Sequence, residues 1–167
     1  MKQKKKRISI RLKILLPVVL LVTILCVVLG ISSCRKMNDG MVAMGVEQAD
    51  MVAKMAVEVI DGDVLKTLGP GCEDSAEYQT IRDAMCDIQQ SYGIAFLYTL
   101  HTDGKIVYYG IDTDASEECA DYGEEFEVSY EELADCFAGE EYVQDYIDET
   151  VDGHLISVYK PIYDSAG

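Results

Sequence analysis

The chain has 167 residues, with 30 Asp or Glu against 14 Lys or Arg and 49% apolar positions, for a formal charge of −16. That length bounds it to one modest domain plus accessories, and the apolar content is enough to build a core. Seven of the bases (Lys2, Lys4, Lys5, Lys6, Arg7, Arg11 and Lys13) precede position 14 with no acid among them, leaving 7 bases against 30 acids and a charge of −23 on the rest. A body so acidic repels phosphate backbones, which disfavours nucleic-acid binding.

Ile14 to Ile31 carries no charge over eighteen residues. As a helix it would reach about 27 Å, near the hydrocarbon thickness of a bilayer. The reading is a transmembrane helix over 14–31, with Pro17 in its first turn, where a missing N–H does least harm. The basic tail, 1–13, puts that end in the cytoplasm and everything after about Ser32 outside it. Two alternatives compete: a cleaved signal peptide, against which the long apolar run and the absence of an A-x-A site speak, and lipidation at Cys34, against which Arg35 and Lys36 speak.

Residues 35 to 60 lack proline and show two helical stripes. Met37, Met41, Met44, Gln48, Met51 and Met55 form one; Val42, Val46, Ala49, Ala53, Ala56 and Ile60 form the other. The spacing predicts a helix of roughly 39 Å, stopped at Asp61-Gly62 and weakened by Gly40 and Gly45. The aliphatic stripe suits the domain's own sheet. The Met stripe suits either a partner helix in a parallel homodimer or ordinary core.

Leu68-Gly69-Pro70-Gly71 is a break, and Ser75 opens a second helix with Ile81, Met85, Ile88 and Tyr92 on one face before Gly93. Residues 94–100 and 106–111 read as strands of a hairpin around Asp103-Gly104, with a type I′ turn and the pairs Leu100/Val107, Tyr98/Tyr109 and Phe96/Ile111. One face then carries Ile94, Phe96, Tyr98, Leu100, Val107, Tyr109 and Ile111, bulky enough to be the side on which the long helix lies. The other carries Ala95, Leu97, Thr99, Ile106, Tyr108, Gly110 and Asp112, which reads as either a lined cavity or a solvated surface.

Residues 112 to 128 are acidic and irregular. Ser129 then starts a short helix with Leu133, Cys136 and Phe137 on its buried side, closed by Gly139. After Asp152-Gly153, residues 155–163 read as one further strand, and Asp164-Ser165-Ala166-Gly167 as a turn. With no strand returning from that turn, a last strand of the domain is expected beyond Gly167.

Motifs for catalysis are absent. Cys72, Cys86, Cys119 and Cys136 form no C-x-x-C pair and have no His at ligand spacing, so no zinc or other cofactor is expected, while one or two disulfides remain open. Asp112-Thr-Asp114 starts like a calcium loop but has Glu117 where glycine is needed and Gly123 where glutamate is needed. His101 and His154 sit beside Asp-Gly turns, where a polar surface residue is the default. No Ser or Cys nucleophile is framed by a motif, so the chain is not expected to be an enzyme.

The order of these pieces (basic tail, span, long helix, second helix, hairpin with F-L-Y-T-x-x-T-D-G-K, then Val158-Tyr159-Lys160-Pro161-Ile162-Tyr163-Asp164 to Gly167) resembles the extracytoplasmic Cache sensor domain of bacterial methyl-accepting chemotaxis proteins. The resemblance implies an α+β architecture: a PAS-like Cache domain over 35–167, with an antiparallel sheet behind the long helix, a small-molecule pocket on the sheet's other face, and the last strand missing. It also implies a second span and a cytoplasmic signalling part beyond Gly167. By strand phase the ligand-binding residues are expected to be Thr99, Tyr108, Asp112, Ser157 and Tyr159. Asp112 would favour a ligand amine, and a carboxylate or amino acid would need Lys160 or Arg82. The expected function is a membrane-anchored extracytoplasmic sensor. The same sensor in a histidine kinase or diguanylate cyclase, and a non-signalling anchored surface protein, are the alternatives.

Overall fold

The computed structural model describes residues 10–116, 119–144, 146–150 and 153–166. The basic residues before Ile10, Glu117 of the calcium-like loop, Asp152 of the turn and Gly167 lie outside the described residues. The chain divides into two units, Met1–Ala43 and Met44–Gly167. The architecture is α+β, with a long apolar N-terminal helix and small antiparallel sheets.

Helix α1 runs unbroken over Ile10–Val59. It includes a stretch of mean hydropathy 3.2 whose residues are all solvent-facing, long and apolar enough to cross a membrane. One expectation changes here. The helix starts before Lys13, so Pro17 lies inside it rather than in its first turn and removes one backbone hydrogen bond. The exit at Ser32 to Lys36, which has neither proline nor glycine, continues the helix.

In the second unit the aliphatic stripe is the packing face. Its members Ala56 and Ile60 are buried, as is Val52 beside them, whereas Met44 and Met51 of the other stripe are 72% and 44% exposed. After α1, the Asp61 carboxylate caps the one-turn helix α2 (Gly62–Leu65) by accepting from the Asp63 and Val64 amides. Helix α3 (Ala76–Tyr92) begins as expected. The Ser75 hydroxyl accepts from the Tyr78 amide, and Gly93 closes the helix at φ 63°, a conformation open to glycine without strain. Its face of Tyr78, Ile81 and Met85 meets Ala56, Ile60 and Ile111 in one core cluster.

Strands β1 (Tyr98–Thr102) and β2 (Val107–Asp112) form the expected hairpin in a different register. Thr102 pairs with Val107 and Leu100 with Tyr109, leaving four residues in the turn rather than two. Local side chains drive this. The Asp103 carboxylate accepts from the Lys105 and Ile106 amides at 2.9 Å, and the Thr102 hydroxyl donates to the Ile106 carbonyl at 2.7 Å. These bonds favour the longer loop over the I′ turn.

A bulge between Tyr98 and Leu100 then brings Tyr98 opposite Asp112. That one-residue slip exchanges the faces of the β2 residues beyond it, Ile111 and Asp112. Ile111 joins Leu97 in the cluster under α1 and α3, whereas Tyr98, Leu100, Val107 and Tyr109 pack with Phe126 and Leu133 in a second cluster. The long helix therefore lies on the face opposite to the one expected. Phe96, expected in the core, precedes the strand and is 39% exposed.

Thr99 holds the bulge, its hydroxyl accepting from the Ile111 amide at 2.7 Å. Gly110 makes room, since a Cβ there would stand 2.4 Å from that hydroxyl oxygen. Residues 123–126, expected to be irregular, run beside β2, with Phe126 N–H donating to the Val107 carbonyl at 2.8 Å.

Helix α4 (Tyr130–Phe137) buries Leu133, but the Ser129 hydroxyl donates to the Glu132 carboxylate instead of capping the backbone. Phe137, expected on the buried side, is exposed. The single strand expected over 155–163 is split in two. Strand β4 (Asp148–Thr150) pairs with β5 (Gly153–Leu155), and β3 (Tyr142–Val143) pairs with β6 (Val158–Tyr159). Gln144 makes the switch between them. Its side-chain oxygen accepts from the Ser157 amide while its own amide donates to the Ser157 carbonyl, both at 3.0 Å.

Candidate functional site

A cavity of about 690 Å³ opens in the second unit. Its walls come from α1 and the residue after it (Ala56, Ile60), α3 (Met85), α4 (Leu133, Cys136) and residues 158–164, and from Leu97 and the β1 residues Tyr98 to His101. Side chains of a strand alternate between faces. Five successive lining residues therefore mean that the cavity follows the edge of β1 and touches both sides of the sheet.

Of the residues expected to bind ligand, Thr99 and Tyr159 line this cavity and Tyr108, Asp112 and Ser157 do not. The Tyr108 ring stacks on His101 at 5.5 Å, and its hydroxyl donates to the Asp103 carboxylate. Asp112 is buried and committed to the backbone: its two carboxylate oxygens accept from the Asp114 and Ala120 amides at 3.0 and 3.1 Å. Ser157 is held through its backbone by Gln144. Arg82 is committed as well, donating to the Asp112 and Asp114 carbonyls at 2.9 Å. Asp112 and Arg82 thus shape the loop after β2.

The polar part of the wall centres on Tyr98 and Tyr159, whose hydroxyls meet at 3.2 Å. Burial pushes both phenols above the usual tyrosine value, Tyr98 the further, so both stay neutral at physiological pH. Lys160, next along the chain, has a side chain only 5% exposed, with its ammonium 2.8 Å from Asp50 Oδ1 and 2.7 Å from Glu141 Oε2. Burial opposes its charge, and the two carboxylates outweigh burial and hold it above the ordinary lysine value.

Sequence reasoning missed His101, which it placed on a polar surface. The imidazole lies between two rings, stacked on Tyr122 at 5.0 Å and on Tyr108 at 5.5 Å. The signal was its strand phase: it stands two residues beyond Thr99, on the same side of β1. Burial lowers its pKa below the ordinary 6.5.

A lowered folded value means that the unfolded chain takes up the proton first as pH falls. The stabilising contribution of neutral His101 is thus complete above pH 6.5 and is lost as pH drops through the folded value. Urea midpoints measured from pH 7.5 to 5 should fall for the native chain and flatten for His101→Gln. Equal slopes would show that His101 is not the group responsible.

All six cysteines are free thiols. Among the described residues no three His, Cys, Asp or Glu side chains gather to hold a metal ion. No protein-family model, curated protein or solved structure matches the chain.

Proposed function

We propose that this chain is a membrane-anchored, extracytoplasmic small-molecule sensor of the PAS-like Cache kind, the receiving half of a chemotaxis receptor. The observation that carries this reading is the cavity, whose volume is ordinary for a small-molecule site and whose wall is shared by α1 and β1. A ligand wedged there moves the strand against Ala56 and Ile60, and α1 is the same continuous helix that contains the candidate span. The seven bases ahead of the span favour a cytoplasmic N-terminus. The exposed methionines of α1 favour a homodimer of parallel helices. The chain binds rather than catalyses. The same receiver would serve a histidine kinase or a diguanylate cyclase.

The test is a thermal-shift screen of the full chain in nanodiscs against small metabolites, followed by Tyr159→Phe and Ala56→Leu. A hit should raise the melting temperature and weaken in both variants. A screen with no hit, or a hit indifferent to both substitutions, overturns the reading.

A second reading is favoured by one observation. Among the described residues β1 has a strand neighbour on one side only, and the cavity runs along its other edge. That lane would also accept one more strand of polypeptide. Amide exchange at Tyr98, Leu100 and Tyr159 separates the two, because a strand protects backbone amides in a period of two and a small molecule does not.

A further inference from the structure

Every charged group that lines the cavity already has an opposite charge. Lys160 is held between Asp50 and Glu141, and the Lys66 ammonium is bonded to the Asp164 carboxylate. His101, the remaining ionisable lining group besides the tyrosines and Cys136, is half-buried and stacked between two rings, its Nδ1 buried without a hydrogen-bond partner and its burial favouring the neutral ring. The two groups on which a charged ligand was expected to depend, Asp112 and Arg82, lie outside the wall and are bonded to backbone.

Consider what a charged ligand would meet. A carboxylate approaching Lys160 becomes the third anion around one buried ammonium, and it must repel or displace Asp50 or Glu141. Displacement leaves a desolvated carboxylate without its cation. An ammonium fares no better, because the carboxylate that lines the wall, Asp164, is engaged by Lys66, and Asp50 already holds both Lys160 and Lys54. Neither sign finds a partner waiting.

An uncharged molecule does find one. The Tyr98 and Tyr159 hydroxyls share a single proton bond at 3.2 Å, which leaves one hydroxyl proton and further lone pairs for a ligand. Around them stand aliphatic groups, Ala56, Ile60, Met85 and Leu133, together with the Tyr122 ring.

We infer that the cavity selects an uncharged ligand, an apolar or aromatic body bearing one hydroxyl or carbonyl that meets the Tyr98–Tyr159 pair, in place of an amine, amino acid or carboxylate. This rests on the small-molecule reading of the cavity and sharpens it to a ligand class.

Benzyl alcohol, benzylamine and benzoate make the decisive set, one ring of nearly constant size with neutral, positive and negative heads. Their dissociation constants are measured by ligand-observed NMR on the full chain in nanodiscs, with empty nanodiscs as the blank. Benzyl alcohol is expected to bind at least about tenfold more tightly than either ion, and Tyr159→Phe or Tyr98→Phe to weaken it about threefold to tenfold. Each variant's near-ultraviolet spectrum checks that the fold is kept. Benzylamine or benzoate binding as tightly as the alcohol, or a charged hit in the broader screen, overturns the charge rule while the sensor reading stands. An alcohol indifferent to both tyrosine variants overturns the hydroxyl contact. If none of the three binds and the broad screen is empty too, the sensor reading falls with it.

Discussion

Met85→Ala will lower stability by about 2–5 kcal/mol, the range for emptying a buried methionine site, against a total of only about 5–15 kcal/mol for an ordinary domain. Met85 is 0% exposed and sits where Ala56 of α1, Ile60 just after it, Ile81 of α3 and Ile111 of β2 converge, and it also forms part of the cavity wall. No neighbour can collapse into the vacated volume without opening the cavity further, which places the cost toward the upper half of that range. Met85→Leu keeps volume and should cost less than about 1.5 kcal/mol. Urea denaturation followed by tyrosine fluorescence in nanodiscs checks both. Equal midpoints for the alanine variant and the native chain would mean that Met85 is not at the convergence of the core.

Gly62→Ala is the second large effect. A Cβ at Gly62 would stand 2.1 Å from the Tyr163 carbonyl oxygen, 2.7 Å from its carbon and 3.0 Å from the Asp164 nitrogen. These are backbone atoms and cannot rotate away, so two chain segments have to separate. Separation strains a fastening of four side chains. Lys66 is bonded to Asp164, and Asp63 accepts from both the amide and the hydroxyl of Ser165 at 3.2 and 3.1 Å. Overpacking of this kind costs about 1–3 kcal/mol. Limited proteolysis should therefore cut after Lys66 and near residues 160–166 much faster in the variant. Gly69→Ala, with nothing within 4 Å of the added carbon, should leave the pattern unchanged. A Gly62→Ala chain that resists protease as well as the native one would contradict the close approach.

Local signals in the sequence were read correctly where a few neighbouring residues decide the outcome. Ser75 and Gly93 bound α3 because a hydroxyl cap and a left-handed glycine act within one turn. Ala56 and Ile60 mark the buried stripe of α1 because a helix has a fixed period. The hairpin was legible and its register was not. Thr102 and Asp103 bind their own turn, and a single bulge at Thr99 reverses which side of the sheet the later residues face. Beyond the bulge an expectation built on strand phase fails at Asp112, while Tyr108, paired with His101 before it, keeps its phase but spends its ring on His101 and its hydroxyl on Asp103.

The split of 155–163 has a similar origin. Gln144, distant in sequence, bonds both sides of the Ser157 peptide and ends one ladder where another begins. No periodicity within 155–163 encodes that partner. Lys160 likewise reads as a spare cation until the fold brings Asp50 and Glu141 to it.

The contact at Gly62 has a mechanical corollary. It buttons residues 163–166 to the turn that follows the foot of α1. A tug on residues 163–166 is delivered straight to the base of the helix without first crossing any of the three ribbons of strand.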